Sequence, residues 1–378
     1  MKKIDSLYIH FPFCVHLCNY CDFYKKVSQN IDADYALFEQ LLWEQMAEHQ
    51  KLIEEKSYYF VPLKTLYLGG GTPSLWGKRG AIFLKRMFDH FNISIDAKAE
   101  VTLEVNPKTF DAEGIEAFET FGVNRFSLGV QAYDAHFLPY LDRQSQIEDV
   151  DATLTYFAQK KSNFSLDLML GLPFSENRRD VLAEINQLLK FNPEHFSVYI
   201  LTVKDNYKHY QELPSEEAIE AEFLKVASHL EFLGFHHYEV SNFAKPGRMS
   251  SHNLKYWKSE TVAALGPSAT GFLAESRLRY KWKTQKNIHQ PNLYEVETLD
   301  EEAFRLEKIY LALRSMQGLN LREVFANEEK AIKIFNRFKE FQYLRNESKI
   351  DSIVLNSRGY LLLDSLMNDL FNTELDKN

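Results

Sequence analysis

The sequence predicts an α/β fold: a partial (β/α)6 barrel followed by a small C-terminal α+β domain of winged-helix-like form. Three observations predict it. Six short runs rich in apolar, β-branched and aromatic residues alternate with stretches of helical periodicity. The glycines and polar residues that could do chemistry cluster just after those runs. The alternation stops near residue 240, and a different pattern follows.

The strand candidates fall at 7–10, 66–68, 101–105, 125–130, 165–170 and 196–201. Helical stretches separate them at 32–56, 81–91, 111–121, 147–161 and 179–191. The first helix places Tyr35, Phe38, Leu41, Leu42 and Met46 at three- and four-residue spacing, which is one helix face. Strand and helix in alternation read as a parallel sheet. Right-handed crossovers would curl six such units into an open barrel. The expected division is 1–240 for the barrel, 241–298 for an aromatic-rich, loop-rich connecting segment, and 299–378 for the C-terminal domain. That domain reads as helices at 301–316, near 321–325 and at 331–343. A hairpin of 353–355 and 360–363 around Ser357-Arg358-Gly359 would then form its wing. Lys and Glu are mixed along these helices, which favours a structural or docking role over DNA binding.

Strand ends are where barrels of this kind place their active sites. Cys14, Cys18 and Cys21 follow the first strand and Gly69-Gly70-Gly71-Thr72-Pro73 the second. Glu104 and Asn106 end the third, Gln131 the fourth, and Gly171-Leu172-Pro173 follows the fifth. The 3 cysteines are the only thiols in 378 residues, and they stand as C-x3-C-x2-C. An odd number on one loop does not make a disulfide framework. Soft thiolates prefer iron–sulfur or zinc. Three thiolates can hold three irons of a 4Fe–4S cube and leave the fourth open to a substrate. A Cys3His zinc site using His16 is the alternative, although the spacing is not that of a zinc knuckle.

Composition limits the remaining classes. The chain is 45% hydrophobic and 26% charged, with a net charge of −9, so a broad electrostatic footprint for nucleic acid is not expected. No apolar stretch reaches transmembrane length. The start, Met1-Lys2-Lys3-Ile4-Asp5, lacks the apolar core of a signal peptide, so a cytoplasmic location is expected.

The finer motifs carry a resemblance. Tyr8-Ile9-His10-Phe11-Pro12-Phe13-Cys14, Tyr67-Leu68-Gly69-Gly70-Gly71-Thr72-Pro73-Ser74, Glu104-Val105-Asn106-Pro107, Ser127-Leu128-Gly129-Val130-Gln131 and Gly171-Leu172-Pro173 together resemble the radical SAM superfamily. The resemblance covers nearly the whole chain. It is to the group that holds oxygen-independent coproporphyrinogen III dehydrogenase and the HemW-type haem chaperones. Phe23 stands where the dehydrogenase has a further Cys, and few residues precede Leu7 where the dehydrogenase has an extension. His252-Asn253-Leu254-Lys255-Tyr256-Trp257 matches the H-N-x-x-Y-W motif of the chaperone branch.

The resemblance implies a 4Fe–4S cluster on Cys14, Cys18 and Cys21, with S-adenosylmethionine (SAM) beside Gly70, Gly71, Thr72 and Glu104. Tyr8 and Tyr20 match aromatic positions near SAM, and Gln131, Arg143 and Asp167 match positions lining the same cleft. It implies haem on His252, with Tyr256 or Trp257 on the porphyrin face. Haem or porphyrin and a haem-acceptor protein are then the expected partners, with no nucleic acid; any peripheral membrane contact would come through an acceptor. Coproporphyrinogen dehydrogenase activity is the alternative function, and Phe23 argues against it.

The residues leave other readings open. Glu104 could instead form a buried ion pair with Arg125, Tyr8 and Tyr20 could simply pack, and His252 could be a loop histidine bonded to backbone. Two departures from the family pattern stand beside these. Gly266-Pro267-Ser268-Ala269-Thr270 lacks the usual His, and Arg143-Gln144-Ser145 lacks the second half of an Arg-x-His pair.

Overall fold

A computed structural model describes residues 1–204, 207–284, 293–325 and 327–370. The six expected strands are present as β1 (Lys2–Phe11), β2 (Tyr58–Gly70), β3 (Ile95–Val105), β4 (Arg125–Gln131), β5 (Asn163–Leu170) and β6 (His195–Ile200). They lie in sequence order in one sheet, each parallel to the next. Helices α1 (Ile31–Glu55), α2 (Gly77–His90), α3 (Ala112–Phe121), α4 (Ile147–Gln159), α5 (Val181–Leu188) and α6 (Glu216–Phe232) follow the strands in turn. Each helix starts where local chemistry lets it. Asn30, Asp111, Asp180 and Ser215 cap the first turns of α1, α3, α5 and α6 with side-chain oxygens.

Strand alternation then sorts the side chains. Leu7, Ile9 and Phe11 of β1, Leu66 and Leu68 of β2, and Leu103 and Val105 of β3 face outward and are buried in the main core. The helical faces that meet them include Phe38, Leu42 and Met46 of α1 and Leu84, Met87 and Phe88 of α2. Polar residues occupy the inward positions: Tyr8 and His10, Thr65 and Tyr67, Thr102 and Glu104, Arg125 and Ser127, Ser165 and Asp167, and His195 and Ser197.

The stretch after residue 240 departs from expectation. It is not mainly loop. A short strand, Ala263–Leu265, pairs in parallel with Leu7–Ile9 and extends the main sheet beyond β1. At the other edge, His236–Glu239 and Asn242–Ala244 form an antiparallel hairpin against β6. The main sheet therefore has 9 strands, in an open arrangement. Helix α7 (Ser251–Trp257) and an antiparallel sheet of Thr270–Leu273, Leu278–Trp282 and Tyr294–Thr298 complete this region. Ala263-Ala264-Leu265 is short and carries no β-branched residue, so it has little strand signature of its own.

The C-terminal region has a separate core that includes Ile309, Leu313, Leu321, Ile334, Phe338, Ile353, Leu355 and Tyr360. Its helices run Glu301–Leu313, Leu321–Val324 and Glu328–Glu340. The wing differs from expectation. Antiparallel bridges join Leu344 to Leu355, Lys349 to Ser352, and Leu319 to Ile353. The hairpin thus ends where the expected one began. Ser357–Leu361 is helical, because the Asn356 side chain caps it by accepting the Gly359 N–H at 3.0 Å. Among the described residues, no helix is long and apolar enough to cross a membrane.

Candidate active site

A cavity of about 520 Å³ opens at the C-terminal ends of the parallel strands. Of the expected site residues, Cys14, Cys18, Cys21, Tyr20, Gly70, Gly71, Thr72, Glu104, Gln131, Arg143 and Asp167 all line it. Two do not, Tyr8 and His252.

The thiol loop is held against the Gly-rich turn by backbone. Gly71 N–H donates to Phe11 O at 2.7 Å and Thr72 N–H to Phe13 O at 2.8 Å, continuing the β1–β2 pairing past the strand ends. A Cβ on Gly71 would sit 2.6 Å from Phe13 O and 3.0 Å from Cys14 Sγ. A Cβ on Gly70, whose φ is +118°, would meet His10 and Phe11 O at 2.7 Å. Only glycine permits this approach. The N–H groups of Gly70, Gly71 and Thr72 are all engaged within the protein, and the glycines let the turn approach the thiols.

The Thr72 hydroxyl lies 3.6 Å from Cys14 Sγ as donor. His10 Nε2 lies 2.8 Å from Tyr24 O, tying the far end of the loop to β1, and Lys25 Nζ donates to Cys21 O. All three thiols are free and half-buried. Burial pushes Cys14 and Cys18 up, and the Arg143 guanidinium pulls Cys18 back. Among the described residues, no three His, Cys, Asp or Glu side chains converge on a point that one metal ion could share. A 4Fe–4S cube takes one thiolate per iron. The donor set, with a Thr hydroxyl and an Arg cation beside it, therefore fits a cluster.

Opposite the thiols stand two acids. Glu104 Oε1 accepts the Tyr67 hydroxyl at 3.0 Å and Oε2 accepts the Gly70 N–H at 3.0 Å. The Ser127 hydroxyl reaches both Asp167 oxygens at 3.1 Å. Both acids are set deep and open only to the cavity. Burial, then the nearby Asp167 charge, pushes Glu104 up to about 7. Burial pushes Asp167 up to about 6, against the hydrogen bonds from Ser197 and Ser127. Arg143 donates from Nη2 to Gly129 O and to Asn106 Oδ1 at 3.4 Å. Gln131 is held at φ 68°, in the left-handed region, where β4 slips register against β5. Together these groups offer acceptors to hydroxyls or an ammonium, and a cation to a carboxylate.

Tyr8 lies behind this wall. Its hydroxyl is 3.0 Å from His10 Nδ1, and its ring packs beside Tyr67 and His252, at 6.1 and 6.5 Å. His252 is 1% exposed and faces the barrel interior. Its Nδ1 is 2.9 Å from Thr65 Oγ1 and its Nε2 is 3.3 Å from Tyr256 OH. Burial pushes the imidazole down to about 3. The Glu100 carboxylate accepts the Ser251 and His252 N–H groups, each at 2.9 Å, and anchors α7 there. Both ring nitrogens of His252 are thus engaged within the protein, and it lies apart from the thiol cavity. The Trp257 ring instead receives the Arg314 guanidinium at 5.1 Å. Glu104 does not pair with Arg125. Among the described residues Arg125 has no ion pair, and its Nε has no hydrogen-bond partner.

Asn106 and Ser127, which the sequence offered only within motifs, also line the cavity, as do Lys108, Met169 and Tyr199, which sequence reading passed over. The signal for Met169 and Tyr199 is strand period, which puts them on the face of Asp167 and Ser197 in Ser165-x-Asp167-x-Met169 and His195-x-Ser197-x-Tyr199.

A three-thiol loop facing paired acids at the ends of parallel strands is the architecture of a radical SAM protein, and the comparisons agree. The family model described as "Radical SAM superfamily" matches residues 8–185. The "Heme chaperone HemW" of Bacillus subtilis is 33% identical over 84% of this chain and 85% of its own. That of Lactococcus lactis is 31% identical over 87% and 86%. That of Buchnera aphidicola (Schizaphis graminum) is 29% identical over 96% and 97%. The solved coproporphyrinogen III oxidase (HemN) of Escherichia coli superposes with a TM-score of 0.76 at 18% identity, over 97% of this chain and 90% of that one, and shares the fold. The chain belongs to the HemW family of the radical SAM superfamily.

Proposed function

We propose that this protein is a haem chaperone that binds haem, a 4Fe–4S cluster and SAM, and delivers haem to acceptor proteins. The observation that carries the reading is the meeting of Cys14, Cys18 and Cys21 with Gly71, Thr72, Glu104, Arg143 and Asp167 on one cavity. The names of the relatives support the haem cargo. Cys14, Cys18 and Cys21 would hold the cluster, which supplies an open iron for SAM. Glu104 and Asp167 would accept from hydroxyl or amine groups of SAM. Arg143 and Gln131 would orient it, and Tyr20, half-buried on the same wall, would shield it from water. Domain boundaries at 1–240, 241–298 and 299–378 go with this reading, the last unit serving as a docking surface.

The test uses anaerobic protein with reconstituted cluster. Haem should bind with a Soret band and pass to an apo-haemoprotein. The dehydrogenase alternative is tested in the same preparation with coproporphyrinogen III, SAM and an electron donor. Protoporphyrinogen formation at an enzymatic rate would replace the chaperone reading.

A further inference from the structure

Behind the cavity wall, the start of α5 carries a buried ion pair. Glu184 stands in the first turn of the helix and Arg179 just ahead of it, and both side chains are buried. The guanidinium meets the carboxylate in a fork, Nε to Oε1 at 2.6 Å and Nη2 to Oε2 at 3.1 Å. Taking two charges out of water is expensive, so stability alone is a weak reason for such a pair. What the pair does is hold backbone. Arg179 Nη1 donates to Met169 O at 2.5 Å, near the end of β5. Glu184 Oε2 accepts the Tyr133 N–H at 2.5 Å, two residues past the end of β4. The ends of two adjacent strands are thereby tied to one ion pair. Next to that tie stands Gln131, on the cavity wall, at φ 68° and at the slip of register between β4 and β5. A non-glycine residue keeps a left-handed conformation only where its surroundings over-determine it. The Ala132 N–H turns back to Val130 O at 2.9 Å, and Tyr133 lies past the last ladder pair, so its N–H depends on Glu184.

We infer that Glu184 is a positioning residue for the SAM cavity: gripped by Arg179, it holds the Tyr133 amide and so keeps Gln131 in its left-handed conformation, with its side chain on the cavity wall. The inference rests on the reading of this cavity as a SAM site. Glu184 and Arg179 are not on the wall themselves, so they act through the residues they hold. The chemistry suits the task. A carboxylate has acceptor capacity on both oxygens, and Oε2 serves the Tyr133 amide and the guanidinium together. The second prong, on Oε1, fixes the orientation of the acid on which that amide depends. A glutamine at 184 could still reach Tyr133, but it would lose the charge that Arg179 grips.

The test is an anaerobic SAM titration of cluster-reconstituted wild type, Glu184→Gln, Gln131→Ala and the double variant, with iron, sulfide and the denaturation midpoint measured in each. Expected is about tenfold weaker SAM binding in Glu184→Gln at wild-type cluster content, the size of one hydrogen bond. Gln131→Ala should lose a similar factor. The double variant should lose no more than Gln131→Ala alone, because a residue that acts through Gln131 then has nothing left to position. Should Glu184→Gln fail to fold with Arg179 left unpaired, Arg179→Lys takes its place in the same cycle with the same expectation: it keeps the charge and loses the fork. Wild-type SAM affinity in the folded variant, whatever its midpoint, would make the pair structural only and overturn the inference. Losses that multiply in the double variant would overturn it too, as would a loss of cluster, since the effect would then run through the thiol loop. None of these results touches the SAM reading. No SAM binding by wild type would remove that reading, and the inference with it.

Discussion

Glu104 joins the Gly-rich turn to the barrel interior: its Oε2 accepts the Gly70 N–H at 3.0 Å, and its Oε1 accepts the Tyr67 hydroxyl at the same distance. One carboxylate thus sets the position of the turn and faces the cavity. Glu104→Ala should weaken SAM binding by about 1.5–3 kcal/mol, the size of a hydrogen bond to a charged group. Isothermal titration with reconstituted protein measures this, and wild-type affinity in the variant would take Glu104 out of the SAM site.

The same residue gives a pH signature. Its folded value near 7 is above its ordinary 4.5, so the folded state holds a proton that the unfolded chain releases. Ionising it therefore costs stability progressively as pH rises from about 4.5 to 7, and the cost is constant above. Gln imitates the protonated acid. The melting temperature of Glu104→Gln relative to wild type should climb between pH 5 and 7 and then level off. Comparing the two proteins cancels the buried histidines, which act in the opposite direction. A flat difference would mean that Glu104 titrates normally.

Cys18→Ala should abolish the cluster, and anaerobic wild type should carry about four irons per chain. Iron and sulfide analysis decides this. Stoichiometric zinc in protein purified without oxygen would refute it.

Gly71→Ala tests the turn's purpose. Its new Cβ would sit 2.6 Å from Phe13 O, which is backbone and can yield only by moving the thiol loop. We expect a loss of about 1–3 kcal/mol in stability and poor cluster retention. Normal cluster content would show that the loop tolerates the shift.

His252→Ala should destabilise by about 1–3 kcal/mol, because Thr65 and Tyr256 lose a buried partner. Chemical denaturation of the cluster-free protein reads it. An unchanged midpoint would mean that water replaces the imidazole.

Much of this was legible in the chain itself. Three thiols on one loop, a Gly-Gly-Gly-Thr-Pro turn and acids closing apolar strands are local patterns, and parallel βα alternation carries all of them to one end of a sheet. Residue identity and spacing therefore determined the fold class and most of the cavity wall. What only the tertiary structure decided rests on contacts between residues far apart in sequence. His252 meets Thr65 across 187 residues, so no local pattern could show that its imidazole turns into the barrel. Ala263-Ala264-Leu265 becomes a strand only because the free edge of β1 is there to pair with it. Arg125 faces the interior by strand period, yet whether a carboxylate reaches it depends on how neighbouring strands are staggered. Period fixes which face a side chain takes; packing fixes which neighbour it finds there.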